Sequence, residues 1–231
     1  MKIDKLKNLL EEFGSNVKFE HDLKKKNWFN IGGKSKVFYK AENLRELVNF
    51  LKKLECKEKI FILGAGSNTL VSDNLFDGVV IKLSKNFNNI SLHSENTIIA
   101  GSAVLDKSLS DFAMKNNLSG FEFLSCIPGS IGGGITMNAG CFGREFRDIL
   151  LSIQAIDYFG NIITIPSKDI KFEYRKNNLP EDLIFLSASF KGVKSDSLKI
   201  NDEIIKLKTE KDKNQPTKIN TSGSTYKNPT L

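Results

Sequence analysis

Histidine is nearly absent from this 231-residue chain, which has only His21 and His93, far apart, beside three cysteines, Cys56, Cys126 and Cys141. Biological zinc sites draw on such side chains at close, repeated spacing, so no metal centre is expected. The odd, sparse cysteine count argues against a disulfide framework and for a reducing compartment. Long apolar runs are missing too. Nothing approaches the roughly 20 residues that cross a bilayer, and the opening Met1-Lys2-Ile3-Asp4-Lys5-Leu6 is too charged for a secretory signal. A cytoplasmic protein with no membrane partner is expected. No internal repeat or low-complexity tract occurs.

What is present fits a globular protein, with 40% apolar and 26% charged residues. Lysine and arginine outnumber acids 34 to 27, for a formal charge of +7. The excess is scattered or in short runs such as Lys24-Lys25-Lys26, without interleaved aromatics, so no nucleic-acid partner is expected. The same basic surface would steer a polyanionic small substrate such as a nucleotide sugar.

Periodicity predicts an α+β protein. Ile3, Leu6, Leu9, Leu10 and Phe13 trace an amphipathic helix stopped by Gly14, and Lys36 to Ala41 reads as a strand. Asn43 with Glu46 opens a second helix, whose stripe is Leu44, Leu47, Val48, Leu51 and Leu54. Ile60 to Leu63 reads as a short buried strand. Strands over Val79–Leu83, Ile90–His93 and Thr97–Ala100 precede a helix marked by Leu105, Leu109, Phe112, Ala113 and Met114. Leu151 to Tyr158 and Ile162 to Ile165 form a hairpin across Phe159-Gly160-Asn161. Ser167 caps a helical turn, Leu183 to Phe190 is a strand, and a helix begins near Asn201.

Glycine is concentrated where chemistry is expected. Six of the 17 glycines lie between Gly129 and Gly143, among Ile127, Ile131, Ile135, Met137 and Ala139. A glycine-dense turn with free N–H groups suits an anion such as a pyrophosphate, though the same residues would serve a tight turn between core elements. A second cradle follows the Ile60 strand in Gly64-Ala65-Gly66-Ser67-Asn68-Thr69. It is not a Rossmann fingerprint. Thr69 stands at the third glycine position, Ser72, Asp73 and Asn74 make a poor helix, and no acid stands about 20 residues on. Nor does a lysine occupy the P-loop position.

Five stretches, in this order, resemble the UDP-N-acetylenolpyruvoylglucosamine reductases (MurB): Phe29 to Gly33, Leu63 to Asp73, Ile127 to Gly143, Glu173-Tyr174-Arg175, and Gly223-Ser224-Thr225-Tyr226-Lys227-Asn228-Pro229. The resemblance runs from about Asn27 to Leu231. It implies a two-subdomain FAD-binding fold of the vanillyl-alcohol oxidase and p-cresol methylhydroxylase type, spanning residues 1–193 with a split near 84. Residues 194–231 would begin a substrate-binding domain. It also implies non-covalent FAD, NADPH as co-substrate, a UDP-sugar substrate, a monomer, and a role in peptidoglycan synthesis and so in cell shape and division.

Carried over by motif, Gly64, Ala65, Gly66, Ser67, Asn68 and Thr69, with Pro128, Gly129, Ser130, Gly132, Gly133, Asn138, Gly140 and Gly143, would hold FAD. Arg175 would stabilise the enediolate-like charge that builds when hydride adds beside a carboxylate, and Ser224 would protonate the carbon. Tyr174, Lys227 and Asn228 would meet the substrate. Outside the resemblance, Arg175 reads as a surface or structural ion-pair partner and Ser224 as a turn residue. Two departures stand out. Lys176, Asn177 and Asn178 follow Tyr174-Arg175 where serine is usual, and Leu231 comes before the late glutamate of the family's catalytic set. The expectation is a reductase shortened at its C-terminus, with Ile204, Ile205 and Leu207 short of apolar partners. The alternative is a flavin- or nucleotide-binding protein that has thereby lost catalysis. A flavin oxidase on the same fold does not account for the Gly-Ser-x-x-Lys-Asn-Pro ending.

Overall fold

A computed structural model describes residues 1–214. Its first half is built around the crossover that carries a helix between two parallel strands. The helices and strands run α1 (Ile3–Leu10), β1 (Val17–Asp22), β2 (Lys34–Ala41), α2 (Leu44–Leu54), β3 (Ile60–Ile62) and β4 (Phe76–Leu83). Asn43 starts α2 as its sequence suggests: Oδ1 accepts the Glu46 N–H at 2.9 Å, and Nδ2 donates to the Glu46 carboxylate at 2.8 Å. Leu47, Phe50, Leu51 and Leu54 are then buried along one face. They meet Val37, Tyr39, Ala41, Val79 and Ile81 of the sheet, with Tyr39 stacked on Phe50 at 3.7 Å. The sheet order is β1-β2-β4-β3, and β4 runs parallel to both β2 and β3.

The second half is an antiparallel sheet with helices against it. It comprises β5 (Ile90–Ser94), β6 (Thr97–Gly101), α3 (Asp106–Lys115), β7 (Leu118–Ser119), α4 (Ile131–Thr136), β8 (Gly140–Cys141), β9 (Arg144–Glu145), β10 (Leu150–Asp157), β11 (Ile162–Pro166), β12 (Phe172–Glu173), β13 (Lys176–Asn177), β14 (Leu183–Lys191), β15 (Val193–Lys194) and α5 (Ser197–Asn214). The five long strands order as β11-β10-β14-β6-β5.

Central β14 joins the halves. Its buried residues alternate, as a half-covered strand requires. Ile184 and Leu186 belong to the first core, while Ala188 and Phe190 belong to the second. Strand β10 shares the task through an irregularity between Gln154 and Ala155, and the consecutive Ala155 and Ile156 are both buried, one in each core. Among the described residues no helix is long and apolar enough to cross a membrane.

Four sequence readings change. Strand β3 is not buried: it is the sheet edge, and Phe61 is 41% exposed beside the central cleft. Three apolar residues cannot by themselves distinguish a central strand from an edge. The glycine stretch is not simply a turn, because Ile131–Thr136 forms a short helix with Ile131, Gly134 and Ile135 buried. The Ser167 turn exists, but Pro166 holds the cap position and no side chain caps it. Helix α5 starts at Ser197 and does have apolar partners. Ile200, Ile204 and Leu207 are buried on one face, packed toward the 3-10 turn Glu122–Cys126 and α3, and Ile205 on the opposite side is exposed.

Candidate active site

One cleft of about 1,880 Å³ opens between the two halves, larger than the 300–1,000 Å³ typical of a drug-sized ligand. Residues 64–69 supply one wall. The other comes from residues 125–130 and 132–134, continuing through 136–145. The two glycine segments, more than sixty residues apart in sequence, are in contact here: a Cβ placed on Gly64 would lie 2.7 Å from Ser130 Oγ and 4.0 Å from Gly133 Cα.

The 64–69 loop is fixed from behind. Gly66, at φ +76°, lets Lys26 and Asn27 press against it, and its carbonyl accepts the Trp28 N–H at 2.9 Å. Among the described residues no protein group accepts from the N–H groups of residues 64–68, nor from that of Gly133. Gly129, Gly132, Gly134 and Gly140 have protein atoms where a side chain would begin. Gly133 has only Ser130 Oγ nearby, at 3.6 Å, so its bare side faces open space.

Tyr174 and Arg175 are the two residues of the turn between β12 and β13, and both line the cleft. Arg175 sits in the left-handed region at φ +55°, with its guanidinium 5.6 Å from the Tyr174 ring centre. Non-glycine residues held there cost on the order of 1–3 kcal/mol and cluster at functional sites. The turn is clamped to the glycine segment: Asn177 Nδ2 donates to the Thr136 carbonyl at 3.0 Å, and Asn138 Nδ2 donates to the Glu173 carbonyl at 3.3 Å. Asn138 also donates to Glu145 at 2.8 Å and accepts from the Arg147 N–H at 3.1 Å. Its side chain therefore braces the wall from inside. Asn177, one of the residues found where the related motif has serine, provides half of that clamp.

All the carried-over cofactor residues, with Tyr174 and Arg175, come together around this cleft. Ser224, Lys227 and Asn228 lie outside the described residues. Sequence reasoning missed Lys82 and Asp106. Lys82 donates from Nζ to the Gly64 carbonyl at 2.7 Å, and burial, followed by the charge of Lys26, lowers its pKa. A lysine closing the apolar run Val79-Val80-Ile81 was the available signal.

Asp106 is wholly buried on the cleft wall. Both its oxygens lack a protein partner, and Oδ2 lies where a Cβ on Gly129 would intrude, at 2.4 Å. Burial raises its pKa well above the carboxylate range. The folded state then keeps a proton that the unfolded chain has lost, so stability falls as pH rises from the ordinary value near 3.8 toward the native one. The slope is about 1.4 kcal/mol per pH unit. Asp106→Asn is expected to gain stability relative to the parent as pH rises from about 4 to 7, measured by urea unfolding; parallel pH profiles would reject this.

The donors fit a dinucleotide: unengaged N–H groups from two loops and a half-buried lysine beside them suit a pyrophosphate. Fold and cleft together define a flavin-binding protein of the FAD binding domain family, whose sequence profile matches residues 36–166. The chain belongs, more narrowly, to the UDP-N-acetylenolpyruvoylglucosamine reductases. It is 61% identical over 229 residues to the UDP-N-acetylenolpyruvoylglucosamine reductase of Pelagibacter ubique, covering 99% of this chain and 76% of that protein. Among solved structures it resembles the MurB of Thermus caldophilus, with TM-score 0.80, 27% identity, and 92% and 76% of the two chains covered. A p-cresol methylhydroxylase shares the fold, with TM-score 0.54 at 17% identity over 84% of this chain and 43% of that one.

Proposed function

We propose that the chain is an FAD-dependent reductase. It uses NADPH to reduce the enolpyruvyl group of UDP-N-acetylglucosamine enolpyruvate, giving UDP-N-acetylmuramate for peptidoglycan and so supporting cell shape and division. The observation that carries this is the contact between the two glycine loops across one cleft.

The N–H groups of residues 64–68 and of Gly133, with Lys82, hold the FAD pyrophosphate. Pro128, Gly129, Ser130 and Gly132 form the wall beside it, and Asn138, Gly140 and Gly143 shape the hairpin that continues that wall. Bound FAD supplies two-electron hydride chemistry between NADPH and the enolpyruvyl double bond. Arg175 places a fixed positive charge where the substrate carboxylate gathers negative charge as hydride adds, and Tyr174 packs beside it. Ser224 gives a proton to the carbon, and Lys227 and Asn228 meet the diphosphate. Residues 1–193 form the flavin unit, residues 194–231 begin the substrate-binding part, and the enzyme works as a cytoplasmic monomer.

Anaerobic spectroscopy tests the reading. The purified protein is expected to be yellow, to bleach with NADPH, and to regain its colour when the enolpyruvyl UDP-sugar is added. Bleaching without recovery would leave a flavoprotein that lacks the second half of the reaction, and absence of flavin would reject the reading altogether.

A further inference from the structure

Cys126 and Cys141 are fifteen residues apart in sequence, with no motif joining them, yet the fold sets both on one wall of the cleft, near enough for each thiol to shift the other's ionisation. Cys126 ends the 3-10 turn Glu122–Cys126, Cys141 lies in β8, and β8 packs on that turn. Both thiols line the cleft, Cys126 buried and Cys141 half-buried. The third cysteine, Cys56, is exposed elsewhere, against the Tyr158 carbonyl.

The surroundings of the pair are those of a reactive thiol. Lys211 Nζ donates to the Cys126 carbonyl at 2.5 Å, Lys208 lines the same region, and Ser125 Oγ lies 3.7 Å from Cys126 Sγ. The hydrogen bond from Cys141, then Ser125 and the two lysines, bring Cys126 down to about 6, while Cys141 is pushed up and keeps its proton. A thiol whose pKa is drawn down, beside one that holds its proton, is the arrangement of an attacking and a resolving cysteine.

We propose that Cys126 and Cys141 are a peroxide-oxidisable dithiol whose disulfide closes the cofactor-contacting loop into a ring. The Cys126 thiolate attacks a hydroperoxide oxygen; the O–O bond breaks, an alcohol or water leaves after taking a proton, and Cys126 becomes a sulfenic acid. Cys141 then attacks that sulfur, its proton leaves with the hydroxyl as water, and the S–S bond forms. Two electrons pass from the thiols to the peroxide, and an external dithiol reverses the change. The ring encloses residues 127–140, with five of the six clustered glycines. The dithiol itself stands without the flavin assignment; only its effect on cofactor exchange rests on that assignment.

Hydrogen peroxide is the probe, applied to the purified full chain with and without added FAD. Peptide mass mapping is expected to find a Cys126–Cys141 link, with Cys56 still free and both thiols recovered after dithiothreitol. Cys141→Ser should stop at a dimedone-trappable sulfenic acid on Cys126, and Cys126→Ser should leave Cys141 unoxidised at the same dose. Oxidation of Cys56 ahead of the pair, or overoxidation of Cys126 without cross-linking, would overturn the proposal. In the flavin-loaded protein the disulfide should slow FAD release several-fold, reversibly; unchanged release in fully cross-linked protein would overturn the role of the ring. Protein that cross-links but binds no flavin would count against the flavin assignment alone.

Discussion

Gly133→Val protein is expected to leave purification folded and colourless. The backbone of Gly133 is ordinary helix, and a Cβ there would touch nothing closer than Ser130 Oγ at 3.6 Å. The fold therefore has room for the side chain, and the added methyls project into the cleft where the dinucleotide must approach the main chain. The neighbouring residue supplies a control. A Cβ on Gly134 would lie 2.3 Å from the Phe146 ring, itself buried in the second core, so Gly134→Ala should lose stability as well as colour. Circular dichroism and flavin absorbance separate the two cases. Gly133→Val protein that keeps FAD at parental stoichiometry would mean that the segment serves the fold and not the cofactor.

That pair of adjacent glycines shows why the sequence conveyed the segment's importance but not its shape. Three glycines in six residues each lower helix propensity by about 1 kcal/mol relative to alanine, so local preference argued for a turn. Packing overrides it. Gly134 accommodates Phe146, Ile131 and Ile135 enter the core, and Thr136 Oγ1 donates back to the Gly132 carbonyl at 2.8 Å. Where local and long-range signals agree, the reading was direct. The Asn43 cap, the α2 stripe, the β10–β11 hairpin and the existence of strand β14 were all visible because the same residues set the local conformation and face the core. The buried Asp106, the Lys82 contact and the meeting of Cys126 with Cys141 were not visible. Each depends on which distant residues the two sheets bring together, and no periodicity within one element encodes that. The clamp from Asn177 to α4 is similar: as a departure from the related motif it looked like a loss, yet it anchors the turn that bears Arg175.

Arg175→Ala and Ser224→Ala are expected to slow the same half of the reaction and leave the other alone. Hydride from NADPH to bound flavin generates no carbanion, so neither side chain is required and the bleaching rate should stay within a few-fold of the parent. Hydride addition to the enolpyruvyl group builds charge on the carboxylate side of the double bond. Loss of one preorganised charge-stabilising group costs about 10²–10³ in rate, and loss of a positioned proton donor about 10²–10⁴. Stopped-flow absorbance with NADPH, then with the UDP-sugar, measures the halves separately. Arg175→Lys is the discriminating variant. It keeps the charge on a turn held by Asn138 and Asn177 but loses the planar fork that matches a carboxylate, so it should recover only part of the lost rate. If Arg175 served the fold instead, through its left-handed turn conformation, Arg175→Gly would be harmless to both halves, since glycine adopts φ near +55° without strain. A guanidinium acting on the substrate requires the opposite: an unstrained turn, intact flavin reduction, and reoxidation as slow as in Arg175→Ala.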